Sequence, residues 1–309
     1  MSVKDLLKST PFAKAYFKYK QDKSRAYFDS LSDEEFIKEK FRTAFGREIN
    51  LENPETFNEK LQWLKLYNRD PLYTKLVDKY EVKEYIKEKI GEEYIIKTLG
   101  VWDKFNEIDF DKLPDKFVLK CTHDSGGLVI CNDKSKLDKH AAKEKIESSL
   151  KRNFYLQSRE WPYKNVKPRI IAEEYMEDSK TQELRDYKFF CFDGCVKCFK
   201  IDYDRDTFHR ANYFDTEGKL LEFGEVVCPP DFSKELSMPV NLEKMINFAE
   251  IISKDMPFVR TDFYEADNKV YFGEITFFPA GGVGHFTSEE WDYILGSWIT
   301  LPEKRQEKD

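Results

Sequence analysis

The stretch that most restricts this chain is FVRTDFYEADNKVYFGEITFFPAGG, residues 258–282. Two alternating runs of apolar and polar residues flank Asn268, the pattern of an antiparallel hairpin. Folding about Asn268 sets Arg260 opposite Thr276 and Asp262 opposite Glu274, with all four on one face. Val259, Thr261, Phe263, Tyr271, Ile275 and Phe277 then line the other face, which suits packing on a core. Directly opposed side chains lie about 5 Å apart, and like charges so placed repel. Asp262 and Glu274 therefore call for a cation between them, or else belong to a solvated outer face. Oxygen ligands without His or Cys favour Mg²⁺ or Mn²⁺, and Mg²⁺ commonly completes its shell with phosphate oxygens. Arg260 beside such an ion could hold a transferring phosphate.

A second stretch points the same way. KFVLKCTHDSGGLVI puts Lys120 at the end of an apolar strand and follows it with His123, Asp124, Ser125, Gly126 and Gly127. Lysine is a point charge suited to phosphate, and glycines let backbone N–H groups approach it. The G-x-x-x-x-G-K-[ST], G-x-G-x-x-G and H-E-x-x-H motifs are absent, so the common nucleotide and zinc signatures do not compete.

The remainder of the chain reads as α+β. A helix starts near Thr56, a second covers about 72–89 and stops at Gly91, and others fall near 136–152, 241–254 and after Thr287, read as a cap. Strands between them meet end to end in hairpins, unlike a parallel βαβ array. Aromatic residues make up 16% of the chain, which argues against disorder. A net charge of −7 excludes nucleic acid as the main partner, because a phosphate backbone demands a basic surface. No apolar run approaches the roughly 20 residues of a membrane span, and no signal peptide is evident, so a cytoplasmic protein is expected. Cys191, Cys195 and Cys198 have the C-x3-C-x2-C spacing of a cluster-binding motif. An Asp193–Gly194 turn would put Cys195 and Cys198 on opposite faces of one strand, which favours buried structural thiols. The four histidines have no zinc spacing: His123 is placed to touch phosphate and His285 to line an acceptor side, whereas His140 and His209 read as surface residues.

In chain order, VDKYEVKEYI, FVLKCTHDSGG, IIAEEYM, RDYKFF and VRTDFY…FGEITFFPAGG resemble the ATP-grasp superfamily. NPETFNEKLQWLKLYNRDPLYTKLVDKY with FGEITFFPAGG is similar to the TupA-like ATP-grasp amidoligases of bacterial cell-surface polysaccharide synthesis, over roughly residues 45–300. The resemblance implies an ATP-grasp fold in which two α+β subdomains grip ATP. The boundaries expected are an N-terminal helical segment at 1–50, a preceding region at 51–115, a small subdomain at 116–176 and a C-terminal subdomain at 177–309. It implies that Lys79 and Lys120 contact ATP phosphates under a loop of Ser125, Gly126 and Gly127. Glu173, Glu174, Tyr175 and Met176 would form the hinge that reads adenine, Asp186 would bind ribose, and Lys188 would face the phosphates. Arg260 would stabilise an acylphosphate step, and Asp262 and Glu274 would hold the metal, with Thr276 where Asn is usual.

The implied activity joins a carboxylate and an amine at the expense of ATP, through an acylphosphate, on a surface glycan or its precursor. A phosphotransferase acting on a sugar hydroxyl and a non-catalytic nucleotide-binding component are the alternatives. Arg210 is the candidate for gripping an anionic substrate group, its alternative being a surface strand residue. Residues 1–28 carry seven Lys or Arg against two Asp, with Leu6, Leu7, Phe12, Ala15, Tyr16 and Tyr19 along one stripe. That segment is expected either to lie on an anionic membrane surface or to pack on the enzyme body.

Overall fold

The computed structural model describes residues 26–179, 184–205 and 207–304, together with Lys23. The chain divides into two compact units, residues 1–49 and 50–309. In the first, helix α1 (Asp33–Phe45) starts with a capping box between Ser32 and Glu35 and stops at Gly46 in a left-handed conformation. Most of the basic N-terminal stretch, including every residue of its apolar stripe, lies outside the described residues. No helix among the described residues is long and apolar enough to cross a membrane.

The second unit is built on two antiparallel sheets. The four-stranded sheet has the order β1 (Thr98–Trp102), β4 (Ile170–Glu174), β2 (Phe117–Cys121), β3 (Leu128–Cys131). Phe117, Leu119 and Cys121 alternate onto its core face, where Ala142 and Ile146 of α5 (Lys139–Leu150) meet them. The same alternation turns Lys120 to the opposite face. The six-stranded sheet has the order β10 (Lys269–Thr276), β9 (Phe258–Ala266), β5 (Asp186–Phe192), β6 (Cys195–Tyr203), β7 (Arg210–Phe214), β8 (Leu220–Leu221). One of its faces packs on α6 (Leu242–Ser253), which buries Met245, Phe248, Ala249 and Ile252. The other face is charged and still largely buried.

Helix α2 (Phe57–Tyr67) begins at Thr56, as the sequence indicates, with a capping box to Glu59. The single helix expected over 72–89 is two, α3 (Leu72–Val77) and α4 (Val82–Lys89). Asp78 breaks it: its carboxylate accepts the N–H groups of Tyr80 and Glu81 at 2.8 and 3.1 Å and an Arg169 N–H at 2.8 Å. The last helix, α7 (Glu289–Ser297), is preceded by Ser288 rather than capped by Thr287, whose hydroxyl instead accepts the Gly224 N–H at 3.0 Å.

The hairpin of β9 and β10 turns at Asp267 and Asn268, both at positive φ (51° and 61°), the pairing of a tight two-residue turn. Phe272 lies opposite Phe263, but beyond Gly273 the register shifts, and Glu274 faces Asp262 while Thr276 faces Arg260. The bulge thus gives the expected pairing at the site and corrects the expected core face near the tip. Val270 and Phe272 are buried there, and Tyr271 is not. In the β5–β6 hairpin the Asp193–Gly194 turn forms as read; Cys198 is buried and Cys195 exposed, so Cys195 is not one of the buried thiols.

Candidate functional site

Between the two sheets of the second unit lies a cavity of about 280 Å³. Lys79, Lys83, Lys120, Ser125, Gly127 and Glu173 line one side; Asp186, Lys188, Arg205, Tyr264 and Glu274 line the other. The break between α3 and α4 delivers Lys79: its backbone N–H donates to Thr122 O (3.1 Å) and its Nζ to Asp124 O (2.7 Å). Asp124 organises the glycine turn, accepting the N–H groups of Gly126 and Gly127 at 3.3 and 3.0 Å and the Ser149 hydroxyl. Gly127 is fixed by packing, since a Cβ there would sit 2.5 Å from Cys121 Sγ and 2.4 Å from Ser149 Oγ. His123 is buried behind the turn, its Nε2 3.2 Å from the carbonyls of Ser149 and Arg152, rather than set toward a phosphate.

Glu173, on β4, is the buried acid of this side. Its carboxylate lies 2.5 Å from Lys83 Nζ and 2.6 Å from Lys120 Nζ. Burial opposes its ionisation, but Lys120 and Lys83 outweigh that and hold it below the usual glutamate value. Glu174 points the other way and meets Lys97 at 3.4 Å, and Tyr175 lies under the ammonium of Lys116. Glu174, Tyr175, Met176 and Gly126 do not line the cavity.

On the six-stranded side charges alternate across the strands. Arg260 grips Asp262 with two hydrogen bonds of 2.7 Å and reaches Glu274 at 3.3 Å and the Thr276 hydroxyl at 3.0 Å. Lys188 donates to Asp262 (2.9 Å) and to Asp186. Arg205 bridges Asp186 and Asp202, at 2.7 Å to each. Burial disfavours the charged form of Asp262, yet Arg260 and Lys188 keep its carboxyl below the ordinary aspartate value; burial raises that of Asp186. Asp186 Oδ1 faces this setting buried and without a hydrogen-bond partner.

The cation expected between Asp262 and Glu274 is therefore supplied, in this structure, by the Arg260 guanidinium. The donor set still fits a divalent ion. Glu274 is 42% exposed and its contact with Arg260 is long, so its oxygens remain accessible. Among the described residues no three His, Cys, Asp or Glu side chains form a metal-holding group. A Mg²⁺ site completed by substrate phosphates needs only one or two protein carboxylates.

The structure brings together Lys79, Lys120, Ser125, Gly127, Glu173, Asp186, Lys188 and Glu274 around the cavity, with Arg260, Asp262 and Thr276 bonded behind them. Arg210 stands apart on β7, donating to Pro230 O at 3.3 Å with its guanidinium over Phe208. Two cavity cations escaped the sequence reading, Lys83 and Arg205. Arg205 follows Asp202 by three residues, a short-range pairing visible in IDYDR; nothing local marks Lys83. His209 is more than a surface residue, lying 3.6 Å from Asp202 and 3.4 Å from Cys228 Sγ.

No curated protein matches the chain. Among solved structures, D-alanine–D-alanine ligase from Bacillus anthracis complexed with ATP is similar at 16% identity, over 65% of this chain and 53% of that one, with a TM-score of 0.37. The Helicobacter pylori D-alanine–D-alanine ligase matches at 14% identity over 80% of this chain and 70% of that one, with a TM-score of 0.44. The ATP-grasp ligase PsnB, complexed with a phosphomimetic precursor variant, Mg and ADP, matches at 11% identity over 71% and 57%, with a TM-score of 0.39. The chain thus spans about half the length of the Bacillus anthracis ligase. The sequence model of the TupA-like ATPgrasp family matches residues 59–300, most of the chain, and the protein belongs to that family and has its ATP-grasp fold.

Proposed function

We propose that the protein is an ATP-dependent carboxylate–amine ligase acting on a bacterial surface polysaccharide or its precursor. The observation that carries this reading is the cavity walled by Lys79, Lys120 and Lys188, with the carboxylates of Asp262 and Glu274 beside it. Family membership supports ATP as the nucleotide, and the polysaccharide substrate rests on the sequence resemblance. In this reading the cavity takes the triphosphate, Asp186 Oδ1 accepts from a ribose hydroxyl, and the backbone at Glu173 to Met176 reads adenine. Asp262 and Glu274, with Thr276 at their edge, would hold Mg²⁺ or Mn²⁺, which when bound neutralises phosphate charge.

The chemistry is a balanced pair of displacements. A substrate carboxylate oxygen attacks the γ-phosphorus, the bond to the β,γ-bridging oxygen breaks, and ADP leaves. An amine nitrogen then attacks the acyl carbon of the acylphosphate, phosphate departs, and the amine proton goes to solvent. Lys79, Lys120, Lys188 and Arg260 offset the charge on the transferring phosphoryl group, so catalysis is mainly orientation and electrostatics. Thr276, whose hydroxyl accepts from Arg260, serves first to aim that guanidinium.

The test is product analysis with ATP, Mg²⁺ and candidate acids and amines, hydroxylamine serving as a trap for the acylphosphate. ADP, phosphate and an amide or hydroxamate are expected. ADP with a phosphorylated sugar would make the protein a kinase, and no ADP with any acceptor would make it a binding component. Glu274→Gln should cut ADP formation about 10²–10³-fold, comparable to loss of one transition-state charge partner. Its folding should be intact, because Glu274 is half-exposed and makes one long contact.

A further inference from the structure

Lys83 and Lys120 share one buried carboxylate but are held differently. The Lys83 ammonium meets Glu173 at 2.5 Å and also donates to Ile96 O (2.8 Å) and Thr98 Oγ1 (2.7 Å). It is thereby tied to β1 and β4 at once, and its side chain is 14% exposed. Lys120 has Glu173 as its partner among the described residues, at 2.6 Å, and is 23% exposed on the cavity wall. Glu173 Oε2, the oxygen nearest Lys120, has no hydrogen bond of acceptable geometry. The charged groups that face Glu173 are Lys83 from α4 and Lys120 from β2. Lys83 thus has three partners, and Lys120, among the described residues, has one.

We propose that Lys83 is a positioning residue for nucleotide binding, remaining on Glu173 as its counter-ion when Lys120 moves to a phosphate. The inference rests on the reading of the cavity as an ATP site. A carboxylate as buried as Glu173, left with no cation, takes up a proton instead of staying charged. Lys83 removes that cost. With Lys83 in place, transfer of Lys120 from Glu173 to the nucleotide exchanges one ion pair for another and moves no proton. Without it, Lys120 can pass to the nucleotide only as Glu173 takes up a proton.

The experiment is titration calorimetry of MgATP into the wild-type full chain and into Lys83→Met, in buffers of different ionisation enthalpy between pH 6 and 8. The wild type should bind ATP with little proton uptake. Lys83→Met should bind more weakly at pH 8 than at pH 6, by up to about tenfold per pH unit, and take up as much as about one proton per nucleotide. Lys83→Gln keeps a donor toward Thr98 but no charge, should show the same uptake, and carries the test if the methionine variant does not fold. Lys83→Arg should restore pH-independent binding. A wild type that binds no ATP would overturn the nucleotide reading and this inference together. A wild type that binds, beside Lys83→Met and Lys83→Gln variants with no added proton uptake, would overturn this inference alone.

Discussion

The two walls of the cavity solve opposite electrostatic problems. On the four-stranded side, Lys79, Lys83 and Lys120 outnumber Glu173 and Asp124, and the excess positive charge faces the cavity. On the six-stranded side, Asp186, Asp202, Glu225, Asp262 and Glu274 outnumber Lys188, Lys200, Arg205 and Arg260, in an interleaved, mostly buried array. A ligand that suits both walls is anionic toward the first and brings a cation toward the second. A metal-bound polyphosphate has that polarity. The walls also differ in how their groups are held: among the described residues Lys120 has a single ion-pair partner, whereas Asp262 is held by two cations at once.

The largest effect should come from breaking the interleaved wall. Asp262 is 1% exposed and balances both Arg260 and Lys188. Asp262→Ala leaves two buried cations without their shared anion and should cost about 3–5 kcal/mol of stability, with loss of activity. Urea unfolding measures it. A loss under about 1 kcal/mol would mean that water or Glu274 replaces the carboxylate, and that the wall is less buried than its geometry indicates. Glu274→Gln is the contrasting variant, removing charge at the same register with little structural cost.

Lys120→Ala attacks the other wall and should separate binding from stability. With one partner among the described residues, its removal should barely alter unfolding. ATP affinity should fall about tenfold to a hundredfold, the range of one charge-assisted hydrogen bond. Calorimetry reads the affinity. Equal binding by wild type and variant would remove Lys120 from the nucleotide contacts.

Acid should loosen the six-stranded wall. Burial opposes ionisation of Asp202, but Lys200, Lys188 and Arg205 outweigh it and pull the carboxyl down to about 2, from an ordinary value of 3.8. A folded-state value below the unfolded one stabilises the fold at every pH above the ordinary value, and that contribution fades as pH falls from about 4 toward 2. Its size is about 2 kcal/mol. Asp202→Asn should flatten the stability profile across that window, measured as urea midpoints at stepped pH. A profile as steep as the wild type would assign the acid loss to other carboxylates.

Much of this was legible in the sequence because hairpins carry their register with them. Arg260, Asp262, Glu274 and Thr276 follow from alternation and a turn, and Lys120 from an apolar strand that ends at a glycine turn. What escaped depends on contacts distant in sequence. Asp78 ends α3 because Arg169, far along the chain, bonds its carboxylate, and that break brings Lys79 to the cavity. Lys83 acquires its role only when β1 and β4 close around it. Arg260 filling the gap between Asp262 and Glu274 was equally hidden, since sequence gives register but not rotamer.

The smallest expected effect concerns which feature sets the site register. In the β9–β10 and β5–β6 hairpins the pairing shifts by one residue between turn and site, at Gly273 in one and between Phe190 and Cys191 in the other. Asn268 sits at φ 61°, where glycine is easier to accommodate, and its carbonyl bond from Asn241 Nδ2 uses backbone that glycine retains. Asn268→Gly should therefore change stability by no more than about 0.5 kcal/mol and leave ADP formation unchanged. Gly273→Ala is the informative partner: a Cβ there would lie 3.0 Å from Asp262 O and 3.1 Å from the Tyr264 ring. Pressing on that carbonyl disturbs the pairing that puts Glu274 opposite Asp262, so activity should fall while the turn stays intact. If Asn268→Gly lowers activity and Gly273→Ala does not, the turn, not the bulge, aligns the carboxylates.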